Sequence, residues 1–180
     1  MPEPEIAPVP IRIRSALKPG DIGAVIRLHG LVYGAEYQLD YTFEGYVADG
    51  LVKFLNAHDP QRDRLWLAER GERLVGCIAI VHRSAEEAQL RWFLTHPECR
   101  GQGLGRRLLD QALAFCRSAG YRTVMLWTLR GLPAAAHLYR AAGFRPTEAH
   151  PAQLWGRSLT EERYDLDLTP PQNQPCRTAE

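Results

Sequence analysis

The segment Arg100-Gly101-Gln102-Gly103-Leu104-Gly105-Arg106-Arg107 has the composition of a phosphate-holding turn. Glycines at 101, 103 and 105 lack a Cβ, so the backbone can take left-handed dihedrals and come close to a bulky anion. The run stands where an apolar strand pattern ends and an amphipathic helix pattern begins. The first turn of such a helix carries amides without internal acceptors, and its dipole adds partial positive charge at the same end. Arg100, Arg106 and Arg107 contribute full charges of that sign.

Two familiar phosphate loops fail on spacing. A P-loop needs Gly-Lys-Ser/Thr to reach terminal phosphates and magnesium, and here Gly105 precedes Arg106-Arg107. A dinucleotide fingerprint spaces its glycines G-x-G-x-x-G after the first strand of its unit, whereas this one is G-x-G-x-G after several strands. The pattern that fits is Arg/Gln-x-x-Gly-x-Gly/Ala, formed by Arg100, Gly103 and Gly105. It resembles the acetyl-CoA pyrophosphate loop of the GNAT superfamily of N-acetyltransferases. Downstream, Leu138-Tyr139-Arg140-Ala141-Ala142-Gly143-Phe144 resembles the Leu-Tyr-x-x-x-Gly-Phe block that closes the same fold. One helix, a strand at 123–128 and a second helix separate the blocks, as that family requires. The resemblance spans residues 11–168 and departs at Leu132, where many relatives carry Asn seven residues before the tyrosine. The segments Leu31-Val32-Tyr33-Gly34-Ala35-Glu36-Tyr37 and Leu154-Trp155-Gly156-Arg157-Ser158-Leu159 further resemble the acetyltransferase half of bacterial MarR-type regulator/GNAT fusions. A helix-turn-helix pattern does not precede them, so DNA binding is not carried over.

The resemblance implies acetyl-CoA as cosubstrate and assigns roles. Arg100, Gly101, Gln102, Gly103, Leu104, Gly105 and Arg106 would hold the diphosphate, and Phe93-Leu94-Thr95 would lie along the pantetheine arm with their backbone groups. Tyr139 would protonate the departing thiolate, since a phenol of pKa about 10 is still a donor at neutral pH; its alternative is packing in the core. An acceptor alkylamine of pKa about 10.4 is mostly protonated at pH 7, so a base is needed. Glu87 is the candidate, with Glu86 beside it and strand parity allowing only one to face the cleft. The helical region that covers the acceptor cleft in this family holds Tyr33, Glu36 and Tyr37, a carboxylate and two rings suited to a cation. The expected function is transfer of an acetyl group from acetyl-CoA to a primary amine, by direct attack on the thioester. A non-catalytic acyl-CoA-binding sensor or regulatory module is the alternative.

Positioning these groups takes one domain. The chain has 180 residues, 45% hydrophobic, enough for one substantial core. A net charge of +1 from 22 basic and 21 acidic residues gives no global field for nucleic acid or membrane. Cys77, Cys99, Cys116 and Cys176 show no C-x-x-C spacing or secretory context, which suits reduced thiols in a cytoplasm. The histidines show no metal-ligand pairing, and no apolar run is long enough to span a bilayer. Partners are therefore an amine on a small molecule or a protein, with a homodimer left open.

Pro-rich ends at 1–10 and 169–180 read as flexible tails around a domain at 11–168. Alternation places strands at 11–14, 65–69, 74–81 and 87–95, and helical periodicity places helices from residue 21 and at 41–56. After the glycine turn come a helix ending at Gly120, the strand 123–128, a helix at 133–142, and strands at 153–159 and 163–168. The order β-α-α-β-β-β-α-β-α-β-β predicts an α/β fold: a GNAT-like mixed, mostly antiparallel sheet flanked by helices and splayed between the fourth and fifth strands.

Overall fold

A computed structural model describes residues 9–169. Most of the expected tails, and Cys176 with them, lie outside the described residues. The elements run β1 (Ile11–Arg14), α1 (Asp21–Tyr37), α2 (Thr42–Asn56), β2 (Arg64–Arg70), β3 (Arg73–His82), β4 (Glu87–Thr95), a 3-10 turn (Pro97–Cys99), α3 (Leu104–Ser118), β5 (Thr123–Leu129), α4 (Pro133–Ala141), β6 (Arg145–Leu154) and β7 (Arg157–Asp167). They form a seven-stranded sheet in the order β1-β2-β3-β4-β5-β7-β6. Every pair is antiparallel except β4 with β5.

Each face of the sheet carries its own core. On one side Leu104, Leu108, Ala112 and Cys116 of α3 pack with Ile78, Leu126, Phe144 and Tyr164. The other side seats Val25, Val32, Val47 and Leu51 of α1 and α2 on Leu67, Cys77 and Ala79. α3 buries one stripe and leaves Arg106, Asp110 and Arg117 in solvent, as the helical period requires.

The Leu-Tyr-x-x-x-Gly-Phe block is a helix stop. Gly143, at φ 98°, donates its amide to Arg140 O, and Phe144 donates to Tyr139 O. This paired closure satisfies the last carbonyls of α4 and needs a residue tolerant of positive φ. Phe144 then packs its ring 5.8 Å from that of Tyr139.

β4 changes parity halfway. Ala79 pairs with Arg91 but Cys77 pairs with Leu94, so one residue of β3 faces two of β4, and Trp92 takes φ 47°. Before this bulge Ala88 and Leu90 face α3; after it Trp92 and Leu94 face α1 and α2. A bulge of this kind bends the strand and increases its twist.

The last hairpin differs from expectation. The strands anticipated at 153–159 and 163–168 are β6 and the longer β7, and the middle of the first one is a turn. Trp155 and Gly156 both have positive φ, 51° and 78°, which matches the handedness a two-residue hairpin needs. Tryptophan is an unusual choice there; its ring is held 4.9 Å from Phe43 and 5.1 Å from Tyr46, so tertiary packing sustains a backbone conformation that local preference disfavours. Prolines 146 and 151 and the exposure of β6 hide the strand pattern in the sequence, and both suit a sheet edge.

Candidate functional site

The glycine turn is left-handed at Gly101 (φ 72°) and Gly103 (φ 73°), and Gly103 caps α3. A Cβ at either position would meet nothing within 4 Å, so the turn opens onto free space. Gly105 serves differently: a Cβ there would stand 3.0 Å from Leu138 Cδ1, so glycine lets α3 lie close to α4. The first backbone bond of the helix is Arg107 N–H to Gly103 O, and among the described residues the amides of 101–106 find no acceptor. A run of unfilled donors at a helix start is an anion cradle.

That cradle opens into a cavity of about 540 Å³. Phe93, Leu94 and Thr95 form one wall, and Arg100, Gly101, Gly103, Leu104, Gly105 and Arg106 the end. Tyr33 and Tyr37 of α1, and Leu132 to Ala135 with His137 and Leu138 around α4, complete it. Leu132, where relatives carry Asn, is an apolar part of this wall and precedes the first turn of α4. Gln102 contributes only its backbone, because its side chain donates to Glu98 O at 2.9 Å and accepts from Arg70 at 3.2 Å. Arg106 is exposed and loosely placed, 3.7 Å from Asp110.

Arg100 is not free. Its guanidinium takes Glu36 through two hydrogen bonds of 2.7 and 2.9 Å, a fork geometry that holds both side chains. The Arg100 partner holds the Glu36 carboxyl below its ordinary range. Glu36 therefore tethers α1 to the glycine turn, and it lines neither cavity described here.

The sheet opens beside this cavity. β4 and β5 pair only where Glu87, Ala88 and Gln89 meet Thr123, Val124 and Met125; beyond that β5 continues with β7 while the β4 edge from Leu90 to Thr95 faces the gap. A second cavity of about 100 Å³ occupies the opening, walled by Tyr33, Phe43, Tyr46, Trp127 and Trp155. Polar groups reach it from His29, Gln89, Arg91 and Glu161. Tyr33 and Phe93 line both cavities, so the two adjoin.

Tyr139 lies beside Phe93, one of the two residues that line both cavities. It lines the smaller cavity and packs 6.0 Å from Phe93 and 5.8 Å from Tyr164. Burial, followed by the neighbouring Tyr33 and Tyr164, pushes its phenol well above the ordinary value, so it keeps its proton. Tyr33 is raised in the same way by burial, and Tyr37, which lines only the larger cavity, is raised as well. His29 sits in the wall with its Nδ1 2.9 Å from Val25 O, and burial lowers its pKa to about 4, leaving a neutral imidazole.

Glu87 lies apart from both cavities. It is at the end of β4 where the strands are still paired, and its carboxylate is 3.5 Å from Arg163. Glu86 is also outside, paired with Arg122 at 3.2 Å. The carboxylate that does line the smaller cavity is Glu161 on β7, which makes no ion pair among the described residues. Sequence reading passed over Glu161, Arg91, His29 and Trp155, since each is one ordinary residue in a strand, helix or turn and only the tertiary fold collects them. Among the described residues no group of three or more His, Cys, Asp and Glu could hold a metal, and no helix is long and apolar enough to cross a membrane.

A mixed sheet opened between its fourth and fifth strands, with an amide-rich turn at the mouth, is the fold of acetyltransferases of known structure. Residues 32–144 match the model of the Acetyltransferase (GNAT) family, and the chain belongs to that family. It is similar to an uncharacterized N-acetyltransferase of Schizosaccharomyces pombe, 30% identical over 121 residues, 66% of this chain and 73% of that protein. It is also similar to N-acetyltransferase 8F1 of Rattus norvegicus, 32% identical over 56% of this chain and 46% of that one. Mycothiol acetyltransferase of Thermobispora bispora is 31% identical over 83% of this chain and 46% of its own length. The chain thus spans less than half the length of the last two. Among solved structures, an acetyltransferase from Streptococcus agalactiae superposes with a TM-score of 0.73 at 21% identity, over 88% of this chain and 98% of that one. A Salmonella typhimurium protein solved with its cofactor acetyl-CoA gives 0.67 at 21% identity, over 88% and 94%. The names of these relatives describe N-acetyltransferases and acetyltransferases.

Proposed function

We propose that residues 11–168 act as a domain that transfers the acetyl group of acetyl-CoA directly to a primary amine. The observation that carries this reading is the adjoining pair of cavities, one ending in unfilled amides and the other lined by a carboxylate and by Tyr139. The diphosphate would sit on the amides of 101–106, reinforced by Arg106, with Arg100 kept in place by Glu36. The exposed β4 edge at Phe93, Leu94 and Thr95 would pair with the amide arm as an added strand and aim an N–H at the thioester oxygen.

The amine must lose a proton and the thiolate must gain one. Glu161 is the base favoured by position, in place of Glu87, because it shares the cavity with Tyr139 whereas Glu87 is paired with Arg163 outside it. Tyr139, held neutral by burial, donates to the sulfur. Tyr33, which lines both cavities, would stand between the two substrates, and Tyr37 would lie on the acetyl-CoA side. The acceptor is a small-molecule amine or a protein amino group, and the reading needs no nucleic acid, membrane or metal. The likeness of Leu31–Tyr37 segments to regulator fusions adds no DNA-binding role to it. The test is thiol release from acetyl-CoA over a panel of amines, with melting temperature recorded with and without acetyl-CoA. Release with some amine supports transfer; a melting shift without release from any of them would favour a CoA sensor.

A further inference from the structure

The acceptor-side cavity holds one cation and one anion that the protein itself leaves uncompensated. Arg91, on the cavity wall, has no carboxylate within ion-pair distance among the described residues, in contrast to Arg14, Arg100, Arg130 and Arg163, which all do. Its guanidinium lies 4.8 Å from the ring centre of Trp92 and 5.7 Å from that of Tyr46, with one N–H directed to Tyr46 Oη at 3.3 Å. Stacking fixes the plane of the guanidinium and leaves edge donors for a planar acceptor. Trp92 lines the same cavity, and its Nε1–H is buried with no acceptor. A buried donor without a partner is uncommon and calls for a ligand or a water.

The bulge at Trp92 puts these two donors together. In an unbroken strand residues 91 and 92 would face opposite ways; with Trp92 at φ 47° both meet α2. α2 makes room with Gly50, where a Cβ would stand 3.0 Å from Arg91 Nη2 and 3.1 Å from Trp92 Cζ2. Glu161 supplies the opposite charge to the cavity. We infer that the acceptor is an amino acid or similar amine bearing a carboxylate, the carboxylate bound by Arg91 and Trp92 Nε1 and the amine directed toward Glu161. This rests on the acetyl-transfer reading above and narrows its substrate class. A guanidinium edge and an indole N–H match a planar two-oxygen group such as a carboxylate.

The experiment uses the full chain with acetyl-CoA and matched acceptors that differ only in the carboxylate: L-phenylalanine with phenethylamine, L-leucine with isoamylamine, and the methyl esters of both acids. Thiol release should give kcat/KM at least about tenfold higher for an acid than for its decarboxylated partner, with the ester close to the amine. In Arg91→Gln the acid-to-amine ratio should fall toward one, Arg91→Lys should keep part of it, and the acetyl-CoA melting shift should persist in both. Equal rates for acids and amines, or an Arg91→Gln loss shared equally by both series, would overturn the carboxylate subsite and leave acetyl transfer standing. Absence of release from every acceptor despite the melting shift would overturn the transfer reading and this one with it.

Discussion

The two cavities are made in different ways. The larger is assembled largely from one stretch of chain, Phe93 through Arg106, closed by α4, and its chief ligands are backbone amides that only require a turn of the right shape. The smaller takes walls from α1, α2, β4, β5, the β6-β7 turn and β7, and its ligands are side chains. A backbone cradle ties glycine to a few fixed positions, so it leaves a local signature. A side-chain pocket has many equivalent solutions scattered along the chain, so it leaves almost none.

The contrast is most directly broken at Gly103. Gly103→Trp places a ring in the open space beside the cradle and forces a positive φ, so it should abolish the acetyl-CoA melting shift and lower kcat/KM by more than about a hundredfold. An intact shift would remove the diphosphate from the turn. Tyr139→Phe should lower kcat by about a hundredfold while the acetyl-CoA shift stays as it was, because the hydroxyl acts on the leaving thiolate and the ring still packs. A wild-type kcat with a true acceptor would make Tyr139 a packing residue only.

The next effect is on stability. An unfolded-chain histidine takes its proton near pH 6.5, whereas buried His29 resists until about 4. Between those values the unfolded chain binds more protons, so stability falls as pH falls, by about 2 kcal/mol from pH 7 to pH 5. Urea titrations of the wild type and His29→Gln at the two pH values check this; the variant should lose that part of the dependence. The smallest effect is expected at Glu36, which lines neither cavity and acts through Arg100. Glu36→Gln should raise KM for acetyl-CoA about threefold by freeing Arg100, with the amine KM nearly constant. A change confined to the amine KM would move Glu36 to the acceptor side.

The fold was legible wherever local preference and tertiary packing agree. β1, α1 and β4 fall on the expected residues, and Gly120 and Gly143 end their helices with positive φ. It was illegible where packing overrides preference. Trp155 in a left-handed turn is held by Phe43 and Tyr46 from residues more than a hundred positions earlier, so the last hairpin read as a strand through its own tip. Trp92 is the same case inside a strand, and it decides which face Arg91 and its neighbour share. The cofactor-side residues other than Gln102 all come to one cavity through side chain or backbone lining, while Glu87 and Glu36 find salt-bridge partners that no spacing rule reveals.

The Trp155-Gly156 tip joins two structural tasks. Its tryptophan forms part of the wall of the smaller cavity, yet it stands at the end of a hairpin whose outer strand is exposed along nearly its whole length. Exchanging that tryptophan would therefore change the wall and loosen the hairpin from α2 at once, because the ring packs on Phe43 and Tyr46 beside the core of that face. The shape of the smaller cavity and the attachment of the last hairpin are thus one and the same contact, while the amides of 101–106 lie on a different part of the chain.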